Sequence, residues 1–200
     1  MSNDKLYGLV LVGGKSTRMG TDKSALNYHG VSQQEYTLQL LQSVCHKIYL
    51  SISQDNITQS QINQPLIIDK FNYESPLNGL LSAYEVHPNE AWLVLPCDVP
   101  LVDTAALAYL IKHRDASKMA TVYASKEDHL PQPLIGIWEA SGLKALKSFV
   151  TTQNKKIGPR HFLIKSDVKL VYPKDESILF NANYKEDYVF AKNKLKQLER

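Results

Sequence analysis

Short, continuously apolar runs alternate along the chain with segments whose apolar positions recur at helical spacing. The runs at 9–12, 47–53 (Ile48, Leu50 and Ile52 alternating), 66–68 and 92–95 read as strands. Brief runs rich in Val, Ile and Leu belong to strands buried on both faces. Between them, 34–44 places Leu38 and Leu41, followed by Cys45, on one helical face. A second helix opens at Pro76 and buries Leu77, Leu80, Leu81 and Tyr84, and a third over 104–113 buries Leu107, Leu110 and Ile111. The segment 25–29 reads as short and extended. The pattern loosens in the second half, where 119–124, 133–138 and 168–172 read as strands. A helix over 142–150 turns Leu143, Leu146 and Val150 inward, and a last helix is marked by Tyr188, Ala191, Leu195 and Leu198.

Buried strands alternating with amphipathic helices predict an α/β fold with a mostly parallel central sheet covered on both faces by helices. In such sheets ligands bind beyond the carboxyl ends of the strands. The glycine-rich stretch after the first strand, Ser51, Asp69 and Asp98 all fall at such ends. No Pro/Gly/Ser-biased linker interrupts the chain. Residues 1–200 are therefore expected to form a single domain, with a nucleotide-binding part over about 1–115 and an acceptor-binding part over about 116–200.

Composition narrows the function. With 44% hydrophobic and 22% charged residues and a net charge of +3, the chain has the make-up of a soluble globule. It lacks the dense basic clusters with interleaved aromatics of a nucleic-acid-binding surface. Cys45 and Cys97 each lie in an apolar segment and read as reduced core thiols. No Cys-x-x-Cys or His-x-x-x-His spacing suggests zinc. No apolar stretch resembles a signal peptide or reaches membrane-spanning length, so a cytoplasmic protein that uses no membrane is expected.

The chemistry concentrates in Leu9-Val10-Leu11-Val12-Gly13-Gly14-Lys15-Ser16-Thr17-Arg18-Met19-Gly20-Thr21-Asp22-Lys23. Glycines let the backbone approach a ligand and turn N–H groups toward it, and Lys15, Arg18 and Lys23 add positive charge. The combination suits a polyphosphate. It is not a P-loop, because the required first glycine would fall at Leu9 inside the strand, nor the dinucleotide pattern G-x-G-x-x-G. Asp98 ends the strand 92–95 between Pro96 and Pro100. A carboxylate there, facing a phosphate-rich loop, is placed to hold Mg2+, which takes one or two carboxylates plus substrate phosphates.

The stretch resembles the L-x-G-G-x-S-x-R-M-G-x-x-K signature of nucleotidyltransferases with sugar-nucleotide-synthase-like folds, and among them most resembles the molybdenum-cofactor guanylyltransferases. Three further landmarks follow in order: Pro96-Cys97-Asp98-Val99-Pro100, Pro133-Leu134, and Phe180-Asn181-Ala182-Asn183-Tyr184-Lys185-Glu186-Asp187. The resemblance implies a Rossmann-like nucleotide-diphospho-sugar transferase architecture. It implies transfer of GMP from GTP to the phosphate of a phosphorylated pterin (molybdopterin or molybdenum cofactor), with Mg2+ and release of pyrophosphate. Transient partners in cofactor delivery are a further implication.

By that resemblance Lys23 neutralises the reacting phosphate, Arg18 the pyrophosphate, and Asp98 holds the metal. Leu11, Val12, Gly13, Gly14, Ser16, Ser51 and Asp69 border the nucleotide, and Asn181 and Asn183 the acceptor. Two positions depart from the family's pattern. Ser75 replaces the first glycine of G-P-L-x-G in Ser75-Pro76-Leu77-Asn78-Gly79, and Ser51 stands where relatives often carry asparagine. By the same resemblance, Gly13-Gly14 rather than Ala-Gly favours GTP over CTP. A cytidylyl- or sugar-nucleotide-forming enzyme, and a catalytically decayed nucleotide-binding module, remain alternatives. The span 140–165 holds Lys144, Lys147, Lys155, Lys156, Arg160 and Lys165 with no Asp or Glu. It reads either as a solvated face or as a grip for the acceptor's phosphate through Arg160 with Lys155 or Lys156.

Overall fold

The computed structural model describes residues 5–12, 23–54, 64–73, 75–152 and 158–198. In chain order the elements are β1 (Leu6–Leu11), α1 (Gln33–Gln42), β2 (Lys47–Ile52), β3 (Leu66–Ile68), α2 (Leu77–Val86), β4 (Ala91–Pro96) and α3 (Thr104–Lys112). Then come β5 (Ala120–Ala124), β6 (Pro131–Trp138), α4 (Ala140–Thr152), α5 (Pro159–Ile164), β7 (Lys169–Val171) and α6 (Lys185–Leu198).

Among the described residues the strands form one seven-stranded sheet in the order β3-β2-β1-β4-β6-β5-β7. β1 runs parallel to β2 and β4, β2 to β3, and β5 to β7. β6 alone is antiparallel to its neighbours β4 and β5. The loop joining β5 to β6 is short, which permits an antiparallel return where a parallel crossover would need a helix-length connection.

Both faces of the sheet are covered, as expected. On one, Leu38 and Leu41 of α1 and Leu107 and Leu110 of α3 pack on Val10, Leu50, Leu93 and Leu95. On the other, Leu77, Leu80 and Leu81 of α2, Leu143 and Leu146 of α4 and Phe162 of α5 pack on Leu9, Tyr49, Trp92 and Val94. Successive strand residues feed opposite cores, which is why these strands are continuously apolar.

Several expectations shift. Residues 25–29 are not an extended segment: Lys23–Ala25 is a 3-10 turn, followed by a single bridge between Asn27 and Ser32 around Gly30 at φ +87°. α1 starts earlier than 34–44 because Ser32 caps it, its Oγ accepting from the Glu35 N–H at 3.2 Å, and it stops at Gln42 with Ser43 as its C-cap. β6 starts earlier than 133 and α4 extends beyond 142–150 at both ends, while β7 is shorter than 168–172. Gly158 caps α5 and Pro159 sits in its first turn, so Arg160 lies on a short helix. A 3-10 helix over Glu176–Leu179, capped by Asp175, was not expected.

Candidate functional site

The carboxyl ends of β1, β2 and β4 are held level by backbone bonds that run past the strands. The Val12 N–H donates to Ser51 O at 3.2 Å, the Cys97 N–H to Leu11 O at 3.3 Å and the Asp69 N–H to Ile52 O at 3.0 Å. Ser51, Asp69 and Asp98 therefore share one end of the sheet, as their strand-end positions suggest. The buried Ser51 Oγ donates to Asp69 Oδ1 across a long 3.4 Å. Burial raises the Asp69 carboxyl above its usual range, and the Ser51 hydroxyl opposes that shift.

α2 is stitched to this end through polar side chains of its first turns. Asn78 Oδ1 accepts from the Phe71 N–H at 3.0 Å, and Ser82 Oγ from the Lys70 N–H at 2.9 Å. Ser75 Oγ accepts from the Leu77 N–H at 3.3 Å. Gly79 lets the helix lie down on the strand ends: a Cβ there would stand 2.5 Å from Ser51 Oγ and 2.6 Å from Leu11 Cδ2. Beside Asp69 a cleft of about 440 Å³ opens along β3, lined by Ile67, Ile68, Phe71 and Val86 among others.

The second part of the site comes from the far end of the chain. The Ala182 N–H donates to Asp98 O at 2.8 Å, bringing Asn181 and Asn183 beside the turn that carries Asp98. Asp187 Oδ2 accepts from the Asn183 N–H at 2.7 Å and the Tyr184 N–H at 2.8 Å, capping α6 and fixing the asparagine segment. The strap after Lys23 closes on the same turn. His29 Nε2–H donates to Pro100 O at 2.9 Å, its ring stacks on Tyr36 at 3.5 Å, and the Tyr36 hydroxyl donates to Val102 O at 3.2 Å.

A third contribution comes from β6. Trp92 pairs with Trp138 and Val94 with Gly136, so the start of β6 lies at the carboxyl end of β4. There Arg160 Nε donates to Pro131 O at 3.1 Å and Arg160 Nη2 to Gln132 Oε1 at 2.8 Å. The basic span is thus not one uniform cationic face: Arg160 is forked onto β6, and Lys147 pairs with Glu85 at 2.6 Å. Lys155 and Lys156 lie outside the described residues, as do Gly13, Gly14, Ser16 and Arg18, and for Lys23 only the backbone is described.

Sequence reasoning assigned no role to Asp187, Gln132 or Tyr28. Asp187 was legible in principle, as an acid following Asn183 at capping distance. Nothing in the sequence marks Gln132 or Tyr28. Among the described residues no group of three or more His, Cys, Asp or Glu could hold a metal ion. A protein-only cage for a soft or transition metal is therefore absent there. A hard cation completed by phosphate oxygens suits the oxygen donors present at Asp98.

The sequence over residues 8–169, which supplies nearly all of the sheet and the strand ends at which these residues gather, matches the MobA-like NTP transferase domain. The chain belongs to that family. It therefore carries a nucleotidyltransferase domain, with the mostly parallel sheet that the pattern predicts and the Rossmann-like architecture that the resemblance implies. It is 32% identical over 190 residues to the molybdenum cofactor biosynthesis bifunctional protein of Synechocystis, covering 94% of this chain and 54% of that one. The chain thus spans about half the length of that relative. It is 29% identical over 198 residues to the molybdenum cofactor guanylyltransferase of Campylobacter jejuni, covering 98% of this chain and 100% of the relative. In fold it resembles molybdopterin-guanine dinucleotide biosynthesis protein A from Archaeoglobus fulgidus, with a TM-score of 0.76 at 20% identity, covering 96% and 100% of the two chains. Among the described residues no helix is long and apolar enough to cross a membrane.

Proposed function

We propose that this chain transfers GMP from GTP to the phosphate of a molybdopterin-type pterin, as one domain working in the cytosol. The observation that carries the reading is the Ala182–Asp98 bond: it joins the asparagine segment to the carboxylate turn at the sheet end that Ser51 and Asp69 share. Relatives named guanylyltransferase supply the direction of the chemistry. An acceptor phosphate oxygen attacks the α-phosphorus of GTP, the bond from that phosphorus to the β-phosphate bridging oxygen breaks, and pyrophosphate leaves. The nucleophile is already anionic, so no general base is needed. Positioning and charge neutralisation carry the rate.

Asp98 would hold Mg2+, which supplies charge neutralisation on the phosphates. Ser51 and Asp69 would border ribose and base, held by the bonds from the 69–71 segment to α2. Asn181 and Asn183, fixed by Asp187, would orient the acceptor. Lys23 and Arg18, with the Gly13-Gly14 backbone, would bind the triphosphate. A thermal-shift panel of GTP, CTP, ATP and UTP with Mg2+ tests the reading, because a ligand of the native state raises apparent stability by mass action. GTP should give the largest shift, and GTP with a molybdopterin acceptor should release pyrophosphate. An equal or larger shift with CTP would remove the guanine assignment.

A further inference from the structure

The strap that follows Lys23 buries a polar atom with nothing to bond. Tyr28 is 6% exposed, and its hydroxyl has no hydrogen-bond partner among the described residues. Leaving such a group unpaired is costly, and native structures seldom do so without cause. The ring cannot swing away to find a partner. It packs with Leu101, Ala182 and Ala191 and lies 4.9 Å from the Tyr188 ring. The Tyr28 carbonyl accepts from Lys192 Nζ at 3.3 Å, and Tyr188 Oη donates to Asn27 O at 3.0 Å, so the backbone on either side is tied to α6.

The ring packs on Ala182, whose N–H holds the Asp98 carbonyl, so Tyr28 sits against the segment that joins the asparagines to the Asp98 turn. Burial, then the charges of Tyr188, Asp187 and Asp98, push its pKa up to about 12, so it is a donor at any working pH. Yet it hydrogen-bonds to neither carboxylate. Asp187 Oδ2 already accepts two backbone N–H groups, and Asp98 is held through its carbonyl by Ala182. A third group is needed to give the hydroxyl its bond.

We propose that the Tyr28 hydroxyl is a ligand-binding donor of the transferase site, giving its hydrogen bond to an oxygen of the triphosphate–cation assembly held at Asp98. The inference rests on the proposed function and adds to it a residue outside every motif of the chain. The unpaired hydroxyl is then the state of the free protein, and its cost is recovered on binding.

Tyr28→Phe removes the hydroxyl and keeps the ring. Unfolding without ligand should occur at the same temperature as in the wild type or slightly higher, since an unpaired buried hydroxyl contributes nothing favourable. Affinity for GTP with Mg2+, measured by calorimetry, should fall about tenfold, the size of one hydrogen bond to a charged group. Repeating the titration without Mg2+ separates the two kinds of oxygen. A loss in both conditions assigns a phosphate oxygen, and a loss only with Mg2+ assigns the cation's water shell. A clearly lower melting temperature of free Tyr28→Phe, or its failure to fold, would show the hydroxyl already satisfied and overturn the assignment. Wild-type binding of Mg-GTP with unchanged affinity in Tyr28→Phe overturns this assignment alone. No binding by the wild type overturns the transferase reading and this assignment with it.

Discussion

Asp69, proposed to border ribose and base, shows at the scale of one residue how a carboxyl is kept at a cost to the free protein. Burial disfavours its charge, and the side-chain bond from Ser51 that opposes this is long. A carboxyl whose folded pKa is raised adds stability below the unfolded pKa and loses it as pH rises through the folded value. Asp69→Asn abolishes that titration and leaves an acceptor for Ser51. Its melting temperature should therefore match the wild type near pH 4, the ordinary aspartate range, and slightly exceed it at pH 7. The advantage should be small because the carboxyl is only half-buried. Melting curves of both proteins across that range check it, and an Asn variant that loses ground as pH rises would show the charge to be well satisfied. Ser51, Asp69 and Asp98 were legible as candidates because strand ends are legible, and the structure gathers them at one end of the sheet. Tyr28 was not, because a lone tyrosine in a polar stretch carries no pattern, and only its packing reveals the unpaired hydroxyl.

At the scale of elements, the seating of α2 on β1 and β2 depends on one missing side chain. Alanine is the better helix former by about 1 kcal/mol, so Gly79→Ala would stabilise a helix free to move. Here the new methyl would meet Ser51 Oγ and Leu11 Cδ2 at about 2.5 Å. Moving the helix would strain the bonds from Phe71 to Asn78 and from Lys70 to Ser82. Overpacking of this kind costs about 1–3 kcal/mol, which outweighs the propensity gain. Gly79→Ala should lower the melting temperature by about 2–6 °C in a chain of this size and weaken nucleotide binding with it. A raised melting temperature would mean that α2 rides loosely on the sheet. The helices α1 to α4 were readable because each carries an apolar stripe long enough to show its period. α5 was not, since Pro159–Ile164 spans fewer than two turns. The reversed direction of β6 was hidden as well, because an apolar run looks the same in either sense.

That reversal decides, at the scale of the whole molecule, which residues stand beside the Asp98 turn. A parallel β6 would begin at the opposite end of the sheet. Running antiparallel to β4, it instead starts beside the Asp98 turn and carries Pro131 and Gln132 there. α5 packs on β6 and sends Arg160 to both, through Nε and Nη2. The fork leaves Arg160 as a brace that sets the Gln132 amide, rather than a free cation, and any acceptor it serves would be reached partly through Gln132. Lysine cannot offer two donors in a fixed planar fork. Arg160→Lys keeps the charge but should release Gln132. If this end of β6 lines the acceptor site, the KM for the pterin acceptor should rise about tenfold, the worth of a charge-assisted hydrogen bond. GTP affinity should stay unchanged, because Ser51, Asp69 and the α2 contacts lie across β1 from β6. Steady-state kinetics with each substrate varied in turn separate the two. An unchanged acceptor KM in Arg160→Lys would make the fork a structural tie between α5 and the sheet, and would move acceptor recognition onto the asparagine segment before α6.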